Sequence, residues 1–143
     1  MKFYAVIDTN VVVSSMLRHE SVPGVIMDLV VSKTIIPLLN EDILNEYKEV
    51  LTRNKFGFSN NDVNVLINTI RENSIFLNRE QTIEDFIDED DIVFYEIVMS
   101  ARNTMDAYLI TGNIKHYPIK NYVVTPKEML DIIQRKIEIE EGN

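Results

Sequence analysis

The amino-acid sequence predicts an α/β fold: a three-layer α/β/α sandwich around a mainly parallel central sheet of about four to five strands. Short apolar runs alternate with segments of helical periodicity along the whole chain. The first run, Lys2–Ile7, is apolar on consecutive residues, as a strand covered on both faces requires. Two runs end abruptly in polar turns, Asp8-Thr9-Asn10 and Thr111-Gly112-Asn113.

The elements follow in order. Lys2–Ile7 is the first strand. Val11–Leu17 and Val25–Ser32 read as helices split near Pro23-Gly24. Thr34–Leu39 is the second strand, with Pro37 better suited to its end than its centre. Asn40 is a good cap for a helix over Glu41–Arg53, and Glu41 and Asp42 complement the dipole in its first turn. Phe56-Gly57-Phe58 breaks the chain. Ser59 or Asn60 then starts a helix to about Glu72, with Val63, Leu66, Ile67 and Ile70 at helical spacing.

Ser74–Leu77 is a short third strand, and the polar stretch 78–89 is a loop. Asp88 caps a helix from Glu89 to about Arg102, with Asp91 at the third helical position as in a capping box. Ala107–Ile110 is the fourth strand and Tyr122–Val124 the fifth. Thr125-Pro126 opens a last helix to about Arg135. Residues 1–143 read as one domain, with 136–143 a charged tail into which that helix frays.

Composition narrows the classes. With 45% hydrophobic residues the 143-residue chain can bury a core. There is no cysteine, which excludes disulfides and thiolate metal sites. An aspartate ends the N-terminal apolar run too early for a signal peptide, and no run has membrane-spanning length, so a cytoplasmic protein without a membrane partner is expected. The net charge of −9 opposes nucleic-acid binding by charge alone but suits a protein that gathers carboxylates around hard cations.

In an open parallel sheet, functional groups gather beyond the carboxyl ends of the strands. Asp8 is expected there, where it could hold a metal or simply cap a helix. Ile43, Leu44, Tyr47, Val50 and Leu51 mark the apolar face of the third helix, and Glu46 falls on its rim, able to reach a cleft or to stay a solvated charge. Asp88, Asp90 and Asp91 crowd a helix start, where acids stabilise the dipole without any chemistry. Phe94, Ile97, Val98 and Ala101 mark the buried side of that helix and set Asp91 beside it, near the strand ends.

Taken together, VIDTNVVVSSML (6–17), LLNEDILNEYKEVL (38–51), DEDDIVFYEIVMSA (88–101) and AYLITGNIKHYP (107–118) resemble the PIN-domain family, in its branch of toxins from toxin–antitoxin systems. The resemblance covers nearly the whole chain. It implies a PIN-like sandwich and a ribonuclease that hydrolyses RNA phosphodiesters with Mg²⁺ or Mn²⁺. Asp8, Glu46 and Asp91 match the family's catalytic, metal-ligating acids. A fourth acid is frequent after the fourth strand; here Asn113 stands in its place, offering a carbonyl oxygen without charge. Asn10 and Thr111 match supporting positions, and Asp88 and Asp90 are further candidates for support.

Lys115, His116 and Lys120 follow the Asn113 turn and are expected to flank the cleft, either holding RNA phosphates or as ordinary loop charges. The resemblance also implies a homodimer and a small antitoxin protein as partner. Two other readings remain at this point. One is a PIN fold that binds RNA or protein without cutting. The other is a phosphatase of the haloacid-dehalogenase type, which also begins with a strand ending in Asp but carries a second Asp where this chain has Asn10.

Overall fold

The strands β1 (Phe3–Ile7), β2 (Ile35–Leu39), β3 (Ile75–Phe76), β4 (Ala107–Ile110) and β5 (Val123–Val124) pair in the order β3-β2-β1-β4-β5. Every pairing is parallel in this computed structural model, which describes residues 1–142. The helices α1 (Thr9–Leu17), α2 (Val22–Val31), α3 (Glu41–Leu51), α4 (Asn60–Asn73), α5 (Ile92–Arg102) and α6 (Pro126–Glu141) flank the sheet in the expected α/β/α sandwich.

Ala5, Val6 and Ile7 are all buried, as are Leu38 and Leu39, and Leu109 and Ile110. Consecutive burial means that both faces of the sheet are covered, which is why these strands read as unbroken apolar runs. Each large side chain so buried contributes about 1.5–3 kcal/mol. The sheet grows leftward from β1 through β2 to β3, then resumes on the opposite side with β4 and β5. The reversal falls between β1 and β4, and the crevice beyond their carboxyl ends is where such sheets place ligands.

Several boundaries differ from the sequence expectation, each for a local reason. Pro37 sits at the centre of β2, opposite Ala5. Phe3 N–H donates to Thr34 O, so even-numbered β2 residues bond to β1 and Pro37 turns its nitrogen to the other side. There β3 pairs only Leu38 and Leu39, and the missing N–H costs no ladder bond. The break between α1 and α2 lies at 18–21, not at Pro23-Gly24. Ser21 caps α2 by accepting from Gly24 N–H, and Pro23 falls in the first turn, where its missing N–H is harmless. Gly24 is required by close approach: a Cβ there would lie 1.7 Å from His19 O.

α3 ends at Leu51, two residues short of the expected Arg53. The start of α5 is tighter than foreseen, since Glu89–Asp91 form a 3₁₀ turn and the α-helix begins at Ile92. Asp88 does cap this turn, accepting from Asp90 N–H at 2.9 Å. Asp91 makes no side-chain capping bond, so the expected capping box does not form here. A true capping box opens α6, between Thr125 and Glu128. α6 then continues to Glu141 instead of fraying after Arg135, and Lys136 holds Asp106 Oδ2 at 3.1 Å and Tyr108 OH at 3.2 Å. Asn143, the last residue of the expected tail, lies outside the described residues.

Candidate active site

Asp8 follows the last residue of β1 and is 5% exposed. Its backbone N–H donates to Ile110 O at 2.9 Å, which locks it beside the end of β4. It stands at the N-cap position of α1, yet its side chain makes no capping bond. The carboxylate instead receives Thr111 Oγ1 at 2.7 Å, Tyr117 OH at 3.0 Å and Asn10 Nδ2 at 3.4 Å, all on Oδ2. Three side-chain donors on one oxygen orient the group.

The donors are themselves fixed. Thr111 Oγ1 accepts from Asn113 N–H at 2.9 Å, and its own N–H bonds to Val124 O in β5 at 2.9 Å. Asn10 Oδ1 accepts from Gly112 N–H at 3.0 Å, tying the turn after β1 to the turn after β4. Phe86 meets Tyr117 edge-on at 6.0 Å and Tyr95 at 5.4 Å, so the loop between β3 and α5 backs Tyr117. That loop is anchored by buried Glu96, which accepts from Arg79 Nε at 2.7 Å and Thr82 N–H at 2.8 Å.

Glu46 lies on the rim of the α3 apolar face, whose Ile43, Leu44, Tyr47 and Leu51 are buried. Thr9 Oγ1 donates to Glu46 Oε2, and Tyr47 OH donates to Ile7 O, so α3 is pinned once to the start of α1 and once to the end of β1. Asp91 Oδ2 lies 3.1 Å from His116 Nδ1.

Asp8, Glu46, Asp88, Asp90 and Asp91 line one cleft of about 360 Å³, together with Thr9, Asn10, Arg53 and Phe56. Burial raises the pKa of Asp8 against the lowering effect of its donors. Glu46 is raised by burial and then by Asp8, Asp90 and Asp91. Asp91 is pushed up to about 6, first by burial and then by Asp8. Carboxylates that repel one another in a sheltered cleft are a donor set suited to a hard cation. They share the cleft without closing on one point: among the described residues, no group of three or more acidic or histidine side chains already has ligand spacing.

The other expected residues are distributed differently. Asn113 is not in the acid cleft; with Gly112, Lys115, His116 and Thr125 it lines a neighbouring hollow. Of the three expected cations, Lys115 and His116 share this hollow. His116 also pairs with Asp91, and Lys120 bridges to Glu84 at 3.3 Å. The sequence reading gave no role to Thr9 or Tyr117 and placed Tyr47 only on the apolar face of α3. Thr9 and Tyr47 each adjoin a candidate acid in the chain, and Tyr117 lies inside the stretch 107–118, but a hydroxyl carries no signal of its partner.

Among the described residues, no helix is long and apolar enough to cross a membrane. The family model for the PIN domain matches residues 4–115. The chain is also similar to the uncharacterized protein MJ1680 of Methanocaldococcus jannaschii, 26% identical over 96% of each chain. No solved structure matches it.

Proposed function

The chain belongs to the PIN-domain family, whose members are generally nucleases that use divalent metals, and on that premise we propose that it is an Mg²⁺- or Mn²⁺-dependent endoribonuclease, the toxin of a type II toxin–antitoxin pair. The observation that carries the reading is Asp8. It is buried beyond the ends of β1 and β4, has one oxygen held by three donors, and shares its cleft with Glu46 and Asp91.

Asp8, Glu46 and Asp91 are the residues that would hold the metal. When bound, such an ion offsets charge on the scissile phosphate and makes a water acidic enough to attack near neutral pH. The chain's own contribution is orientation. Thr111, Tyr117 and Asn10 fix Asp8, Thr9 fixes Glu46, and His116 steadies Asp91. Asn113 adds no charge and lies outside the acid cleft, so the reading rests on three carboxylates. Family membership sets the phosphatase alternative aside.

In this reading RNA is the substrate, Lys115 supplies phosphate contact from the neighbouring hollow, a second copy forms a homodimer, and a small antitoxin holds the enzyme inactive. The test compares purified protein with its Asp8→Asn variant on structured RNA, in Mn²⁺, in Mg²⁺ and in EDTA. Cutting that needs both Asp8 and the metal is expected. RNA binding with no metal-dependent cleavage would leave a binding module in place of an enzyme. Growth arrest on expression, absent with Asp8→Asn, tests the toxin role.

A further inference from the structure

Glu46, Val50 and Arg53 stand at i, i+4 and i+7, in one row along α3 and just past its end. All three line the acid cleft, with Phe56 beside them. Among the described residues, Arg53 is the only cationic one lining a cleft that otherwise carries Asp8, Glu46, Asp88, Asp90 and Asp91. Its Nε and Nη2 rest on Glu49 at 3.2 and 2.8 Å, which leaves Nη1 for another acceptor.

Phe56 closes a 3₁₀ turn over Asn54–Phe56. Gly57 follows with φ of 68°, a left-handed conformation that few residues but glycine adopt easily. The reversal sets Phe58 against Phe56, ring centroids 5.7 Å apart and planes within 10°. Both rings are half-buried, and nothing lies within 4 Å of where a Gly57 Cβ would be, so the turn is open to approach. Lys55 Nζ lies 5.0 Å from the Phe56 ring centroid. Flat apolar surface, a cation lining an anionic cleft and a second cation against the Phe56 ring match one class of ligand, a planar base attached to a phosphate.

We propose that Arg53, Lys55, Phe56 and Phe58 form a nucleotide subsite, which holds an unpaired base and its phosphate next to the bond that is cut. The proposal rests on the nuclease reading of the acid cleft. Seven residues of helical rise separate Glu46 from Arg53 by about 10 Å, so the subsite serves a neighbouring nucleotide and not the reacting phosphate itself. A base within a duplex has its faces covered by stacking, so the subsite selects single-stranded RNA.

The test measures affinity by fluorescence anisotropy in the Asp8→Asn background, with a labelled RNA single-stranded or annealed to its complement. Phe56→Leu, which keeps apolar packing but removes the ring, is expected to weaken single-strand binding about tenfold and leave duplex binding unchanged. Phe56→Tyr restores it. Arg53→Ala is expected to reduce the salt slope of single-strand binding by about 0.7.

Unchanged single-strand affinity in Phe56→Leu would overturn the subsite, as would an equal loss on both RNA forms or a matching fall in melting temperature. Undiminished cleavage by Phe56→Leu at low substrate would remove the subsite and leave the nuclease standing. Ring-dependent binding by a protein that cuts no RNA would do the reverse.

Discussion

Replacing Asp91 by Asn should make the metal-free protein more stable while reducing what metal adds. An ordinary aspartate titrates near 3.8 and Asp91 near 6, raised by burial and by Asp8. A native pKa above the unfolded one means that ionisation is harder in the fold. The cost is absent below about pH 4, grows between the two values and is complete above about pH 6. At about 1.36 kcal/mol per pH unit the ceiling is roughly 3 kcal/mol. Asp91 keeps 14% of its side chain exposed, and solvent screening reduces the figure to roughly 1–2 kcal/mol. Losing this charge also relieves Glu46, which it repels. For a chain of this size, Asp91→Asn should melt about 2–8 °C above the parent at pH 7 in EDTA. The gap should close as pH falls toward 4. Thermal melts across that range, with EDTA and with Mn²⁺, check the claim. A variant that melts at or below the parent at pH 7 without metal, or a gap indifferent to pH, would refute the electrostatic account of the cleft.

Tyr117→Phe removes one of three donors to Asp8 Oδ2; it should cost about 1.5–3 kcal/mol, and titration calorimetry should show weaker Mn²⁺ binding. Glu96→Ala releases Arg79 and Thr82, so hydrogen exchange should accelerate across residues 78–88, with stability falling roughly 2 kcal/mol in urea melts. Glu96→Gln, which can still accept from Thr82, should lose less. Gly24→Ala drives a Cβ against the His19 carbonyl and should cost roughly 3 kcal/mol or more by chemical denaturation, or prevent folding.

Much of the fold was legible because each strand is buried on both faces. Ala5-Val6-Ile7 and Leu109-Ile110 therefore read as strands from hydrophobicity alone, and the polar turns after them marked the sheet's reversal point. Glu46 and Asp91 were visible through helical phase, which places a residue around its axis. Phase says nothing of pairing across the chain. Glu96 drew no expectation from the sequence, yet it is buried, with Arg79 and a backbone N–H reaching it from a loop. Tyr117 carried no signal beyond its place in the stretch 107–118, yet its ring is buried and its hydroxyl serves Asp8. Pro37 was misplaced because its tolerance depends on how short β3 is, a property of a neighbour and not of β2 itself.

The loop over residues 78–88 has the composition of a spacer, and an engineer trimming the chain would remove it first. Yet Phe86 is the rear support of Tyr117, and through that hydroxyl it bears on Asp8. Its length is consequently a tuned dimension, and a graft that alters it would detune a carboxylate far away in sequence without touching any acid.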